Sequence, residues 1–343
     1  MAPRKRNPEN KGLPLRWCYQ HGAYYYQVPP GLEMQWDAKR KFKLGRTLPD
    51  AYTVWAQRIP GSREARTVGE LLDRYAAEVV PAKAPKTQQS NIPAIKRLKA
   101  VFGHMPLETL KPKHVYQYLD KRGARVAAKR EIEVLSHTYT KAIEWGLIEA
   151  HPIKGKVIRA GTPPRTRYVE DWEIVEALSV AGPVLRAYIS IKLLTGLRRA
   201  DLLGLRMADI REDGIHVAPR KTAKTTGKRL IIEWSQTLRA AVEAALAARP
   251  KDIAPWLFCT RRGESYVKAD GTANGWDSLW QRFMTKVSAN TKVKERFTEH
   301  DLRAKCASDA PSLERARQLL AHADAALTLR VYRRKPERVK PAQ

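Results

Sequence analysis

Cysteine is scarce in this 343-residue chain: Cys18, Cys259 and Cys306 lie far apart and form no Cys-x-x-Cys pair. That argues against a disulfide framework or a structural zinc site and fits a reducing cytoplasm. Long apolar runs are missing as well, and none approaches the roughly 20 residues that a membrane span requires. Met1 to Lys11 is charged with no apolar segment behind it, so no secretory signal is expected. Acidic residues are the third shortage. Only 35 Asp and Glu stand against 64 Lys and Arg, leaving a net charge of +29. A protein tolerates such self-repulsion most readily when its partner is a polyanion. Nucleic acid is favoured over an anionic membrane, because neither end carries a strongly amphipathic lysine-rich anchor.

What is present divides into stretches of different character. A chain of this length is expected to form two or three domains, and its 43% hydrophobic residues can bury real cores. Residues 1–66 read as a basic module, with thirteen Lys and Arg against five Asp and Glu. Its first dozen residues suggest a flexible arm. Ala23 to Val28 and Lys39 to Leu44 read as strands, and Asp50 is expected to cap a helix carrying Tyr52, Val54 and Trp55. Aromatic and basic residues interleave there, which suits a sheet laid in a DNA groove.

Residues 67–155 read as four helices. Thr67 and Glu70 form a capping box ahead of Val68, Leu71, Leu72, Tyr75 and Val79 at helical spacing. Further helices follow through Ile92 to Phe102, Val115 to Leu119 and about Val126 to Trp145. A Pro-, Gly- and Arg-rich stretch, 156–167, reads as a linker along a DNA backbone. From 168 onward Asp171 is expected to cap a helix. Gly214 to Ala218 and Lys228 to Glu233 are expected to pair as a hairpin around a tip carrying Lys221 and Lys224. The last helices span about Glu299 to Ala310, Ser312 to Ala321 and Asp324 to Tyr332. The fold class is therefore multi-domain and mainly α with small β elements.

The chemistry gathers near the end of that order. His300 and Arg303 stand three apart, sharing a helix face. His322 falls just past a helix end, and Tyr332 follows ten residues later. Upstream, Gly196 lets the chain turn between helices and places Arg198 near the start of the second, where free backbone N–H groups also lie. Arg198 alone is equally well read as the ion-pair partner of Asp201. Guanidinium, imidazole and a tyrosine hydroxyl together suit one chemistry, in which a phosphodiester is gripped while the hydroxyl attacks phosphorus.

Thr195-Gly-Leu-Arg198, a lysine-tipped hairpin, His300-x-x-Arg303, Leu320-Ala-His322 and a later tyrosine, in this order, resemble the tyrosine recombinases, and among them the integrases of temperate phages. The resemblance is close from about Arg165 onward. It implies a helical-bundle core-binding domain at 67–155, a mixed α/β catalytic domain at 168–343, and for residues 1–66 a β-sheet module binding arm-type DNA sites. It also implies that Arg198 and Arg303 clamp the scissile phosphate and that His300 does acid–base work. His322 would hydrogen-bond the phosphate, a hairpin lysine would protonate the departing 5′ oxygen, and Tyr332 would form a 3′-phosphotyrosine. For that lysine Lys221 is chosen over Lys224, because it stands where the strand ends. Neither ATP, metal nor other cofactor is then required. Double-stranded DNA with core-type and arm-type sites is the expected partner, with a tetramer on DNA, a bacterial cytoplasmic setting, and a host DNA-bending protein and an excision factor as candidate accessories. Two departures from the family pattern stand out: Ala321 replaces a usual glycine, and the tyrosine is at ten rather than nine residues after His322. A longer turn at 323–326 is expected to restore its aim, with Arg333 and Arg334 on DNA and the tail from Arg333 docking on a neighbouring protomer. A DNA-binding protein that no longer cleaves and a phosphotyrosine topoisomerase are the competing readings.

Overall fold

The computed structural model describes residues 8–10, 12–58, 65–157, 163–220, 227–336 and 339. The chain divides into two compact units, Met1–Thr162 and Pro163–Gln343.

The first unit begins with an antiparallel sheet in the order β1 (Trp17–Gln20), β2 (Ala23–Gln27), β3 (Lys41–Gly45). His21 and Gly22 connect β1 to β2 with φ of 49° and 70°. Positive φ at both positions is what a two-residue hairpin turn needs to match strand twist. β1 was not foreseen from sequence. Trp17 anchors the sheet on α1 (Leu48–Arg58), with ring centroids 5.0 Å from Tyr52 and 5.6 Å from Trp55. The cap of α1 is Thr47 rather than Asp50, whose N–H donates to Thr47 Oγ1 at 3.3 Å from inside the first turn.

Four helices complete this unit: α2 (Val68–Glu78), α3 (Pro85–Phe102), α4 (Pro112–Lys121) and α5 (Arg125–Glu144). Thr67 and Glu70 form both bonds of the expected capping box. Pro85 opens α3, at a position where the N–H that proline lacks would have no intrahelical partner. Sheet and helices share one continuous core from Trp17 to Ile153. Beside it, Tyr52 donates to the buried Asp73, which pairs with Lys99 at 2.6 Å and so ties α1, α2 and α3 together.

The second unit carries α6 (Asp171–Ser179), capped by Glu170 rather than Asp171, then α7 (Pro183–Thr195) and the short α8 (Arg199–Leu202). A second antiparallel sheet follows in the order β4 (Ile210–Arg211), β5 (Gly214–Val217), β6 (Leu230–Ile232). β5 and β6 pair as expected, with His216 opposite Ile231, and β4 is an addition. Residues 221–226 of the tip, Lys221 and Lys224 among them, lie outside the described residues, as do 158–162 of the linker and 59–64. Then come α9 (Gln236–Ala247), α10 (Asn274–Asn290), α11 (Glu299–Asp309), α12 (Leu313–Leu319) and α13 (Ala325–Tyr332). An aromatic core centred on Tyr188 and Trp276, 4.5 Å apart, supports α7, α9 and α10. A separate small cluster of Ala304, Ala307, Ala310, Ala316, Leu320 and Tyr332 lies among α11, α12 and α13.

Candidate active site

Tyr332 ends α13 almost fully buried, and its ring is met from three directions. The His300 ring lies 5.2 Å away, the His322 ring 4.8 Å away, and the Arg303 guanidinium carbon stands 5.5 Å from its centroid. Each neighbour has a local reason for its place. Thr298 caps α11 through a reciprocal box with Asp301, which starts the helix so that His300 and Arg303 fall on successive turns. At the end of α12, Ala321 takes φ of +52°. Its N–H bonds Gln318 O at 2.9 Å and the next N–H, of His322, bonds Arg317 O at 3.0 Å. That is the paired closure of a left-handed helix terminus, and it delivers His322 into the site. The residue where glycine was expected therefore adopts the glycine-like conformation at the steric cost of a Cβ.

Arg303 is buried and joins the two halves of the site. Nη1 donates to Gly196 O, and Nη2 donates to Leu320 O at 2.8 Å and to His322 Nε2 at 3.2 Å. Its Nε is buried without a partner among the described residues. A guanidinium only donates, so His322 Nε2 must accept, and Nδ1 must carry the proton given to Thr328 Oγ1 at 2.9 Å. His322 is thus held as a neutral imidazole with both nitrogens engaged. Burial and then the charges of Arg303 and Arg198 push its pKa down to about 4. His300, open to solvent on one side, is also lowered to about 4 by desolvation of its ring and then by Arg303 and Arg334. Both rings are therefore neutral at neutral pH. Among the described residues only His300 has no partner on its ring nitrogens that would block proton transfer, because both nitrogens of His322 are taken by Arg303 and Thr328.

Arg198 caps α8, following Gly196 with its φ of +63°. A Cβ on Gly196 would lie 3.0 Å from Leu320 Cδ2 and 3.2 Å from Cys306 Sγ, so both side chains would have to give way slightly, on top of the strain of a left-handed φ. The Arg198–Asp201 pair exists but is loose, at 4.0 Å, while Asp201 also accepts the Arg220 N–H at 2.9 Å at the root of the hairpin tip. α8 is only four residues long, so the amides expected beside Arg198 amount to a single turn. The structure thus gathers His300, Arg303, His322 and Tyr332, with the Arg198 charge acting on Arg303 and His322.

Residues 172–338 match the family model described as the phage integrase family. Over those residues, just under half of the chain, the protein is similar to that family. The integrase of Escherichia phage HK022 is 24% identical over 261 residues, spanning 69% of this chain and 70% of that protein. A lambda integrase dimer bound to a COC′ core site shares the fold with a TM-score of 0.64 at 20% identity, covering 96% of this chain and 98% of that one. A lambda integrase tetramer bound to a Holliday junction gives 0.60 at 20% identity, covering 91% and 97%.

Within the matched stretch two residues, Thr328 and Lys192, escaped sequence reasoning, and the place of a third, Arg334, was misread. Thr328 orients His322 and is fully buried. Lys192, also buried, donates to Leu197 O at 2.9 Å and so braces the turn before Arg198, its pKa lowered by burial to about 8. Arg334 is neither free nor solvent-facing, being paired with Asp301 at side-chain exposures of 4% and 0%. Arg333 donates to Ala310 O at 3.0 Å. The expectation that both arginines flank the tyrosine on DNA is corrected for Arg334, whose guanidinium is buried on Asp301, while Arg333 stays partly exposed. No cue in the sequence links Arg334 to Asp301, 33 positions away.

Proposed function

We propose that this protein is a site-specific DNA recombinase that cuts and rejoins strands through a 3′-phosphotyrosine. The observation that carries the reading is the packing of Tyr332 against His300, His322 and Arg303 within one chain. The Tyr332 hydroxyl attacks phosphorus and passes its proton to neutral His300, while the bond to the 5′ oxygen breaks. Arg198 and the unpartnered Nε of Arg303 hold the non-bridging oxygens, where charge builds in the pentacoordinate state. His322 keeps Arg303 in place, and to hydrogen-bond the phosphate, the role its motif position suggests, it would first release Arg303 and carry a proton on Nε2. Lys221, in the tip outside the described residues, gives the 5′ oxygen its proton. A 5′ hydroxyl then attacks the phosphotyrosine and restores the tyrosine, so the bond energy is conserved without ATP or metal.

DNA is the proposed partner, with residues 1–66 on arm-type sites, 67–155 on core-type sites, and 168–343 as the catalytic domain after the 156–167 linker. The net charge supports this, as do the lambda integrase structures on a core site and, as a tetramer, on a Holliday junction. Assembly as a tetramer on DNA is proposed on the same ground. The test is covalent trapping on a library of half-site suicide substrates. Wild type should form an adduct, and Tyr332→Phe should bind DNA near normally and form none. An adduct from Tyr332→Phe would overturn the assignment, and binding without adduct by wild type would favour a silent scaffold.

A further inference from the structure

Three consecutive cations follow the tyrosine, and each has a partner on its own chain. Only Arg334 is withdrawn from solvent, at 4% side-chain exposure against 56% for Lys335. Arg333 reaches Ala310 O. Lys335 Nζ lies 3.4 Å from Asp309. Arg334 makes the densest set. Its Nη1 is 2.6 Å from Asp301 Oδ1 and 3.1 Å from Arg167 O, its Nε donates to Val331 O at 2.9 Å, and its N–H donates to Ser308 Oγ at 2.7 Å. The Ser308 hydroxyl in turn donates to Tyr332 O at 2.8 Å. In a chain of such charge, a cation serving DNA would stay outward, as Lys335 does, and Arg334 does not.

The acceptor is as telling as the donor. Asp301 lies between His300 and Arg303 on α11 and is fully buried. It accepts from Thr298 N at 2.9 Å, Thr298 Oγ1 at 2.8 Å, Arg165 at 2.9 Å and Arg334. A buried ion pair stabilises little beyond a well-packed apolar pair, and its attested use is to specify one arrangement. Here the arrangement ties the second residue after the tyrosine to the residue next to His300. Ser308 closes the same loop through the tyrosine's own carbonyl.

We propose that Arg334, held by Asp301 and Ser308, is a positioning residue that fixes the Tyr332 hydroxyl over His300 and Arg303 of the same chain. The proposal rests on the recombinase reading above. Its test uses the full chain and a half-site suicide substrate, in single turnover at saturating DNA. Arg334→Gln should slow adduct formation by about 100-fold, the cost of a misplaced reacting group. The DNA concentration at half-saturation should not move, and Arg334→Lys should recover most of the rate. If Arg334→Gln fails to fold, Ser308→Ala decides, with an expected loss of about tenfold at unchanged DNA binding. Wild-type rates in the variant that decides, an equal loss of binding, or no rescue by lysine would overturn the positioning role alone. Absence of adduct from wild type would overturn the recombinase reading and this proposal with it.

Discussion

The core around α7, α9 and α10 is filled by Tyr188, Phe258, Trp276, Trp280 and Phe283, whereas the cluster under Tyr332 is filled by four alanines, Leu320 and the tyrosine itself. The first kind of packing removes about 150–250 Å² per aromatic ring from water and holds without directional bonds. The second removes little apolar area. Its alanines let α11, α12 and α13 approach closely, and Arg303, Ser308, Asp301 and Arg334 then set the distances. The scaffold is held by area and the site by hydrogen bonds. A site so built is geometrically specified yet opens locally at low cost.

The largest expected effect lies in the aromatic core. Trp276→Ala should destabilise the second unit by about 3–5 kcal/mol, the more so because Glu299 loses the indole N–H at 3.0 Å. Calorimetric or denaturant unfolding measures it, and a loss below about 1 kcal/mol would erase the contrast between the clusters. Acid should act on the other side. His300 and His322 border the small cluster with pKa values near 4, below the unfolded value of about 6.5. Between those values the unfolded chain binds protons that the native chain does not, so stability falls as pH drops from 6.5 towards 4 and is unaffected above 6.5. Amide exchange along α13, corrected for intrinsic rates, should quicken by up to about tenfold from pH 7 to pH 5. Exchange in α10 should change less, and uniform acceleration would break the comparison. The smallest effect is a gain. Ala321→Gly should stabilise the unit by about 1 kcal/mol by removing the Cβ from a left-handed residue. Thermal melting checks it, and a destabilised variant would show that Ala321 is retained for packing.

Much of the second unit was legible because its signals are local. The caps at Thr298, Ser312 and Asp324 stand where serine, threonine and aspartate precede apolar periodicity. The β5–β6 pairing follows from two β-rich runs around a polar tip. The six site residues were named from motifs, and three of them meet around the ring of a fourth, Tyr332, although it lies at ten residues from His322. What stayed hidden is what depends on distant partners. Thr328 reads as an ordinary helix residue until His322 is placed beside it. Arg334 reads as one more surface cation until Asp301 is seen below it. In the first unit β1 was missed because Trp17-Cys-Tyr-Gln is short, and the His-Gly that follows is a weaker turn signal than Asn-Gly.

The hydrogen bond from Arg303 to Gly196 O spans 107 positions, whereas that to Leu320 O spans 17. Loop-closure entropy grows with the logarithm of such spans, and the longer closure costs about 1.6 kcal/mol more. Contacts of that reach form late on a folding pathway. On that cost the helices around Tyr332 are expected to gather on Arg303 before they close against the turn bearing Arg198. Gly196 is where the two surfaces lock, since a Cβ there would press on Leu320. The order has a kinetic meaning. On that order a refolding chain would hold tyrosine and histidine together before the second arginine arrives, and the complete cluster would be among the last things that folding makes.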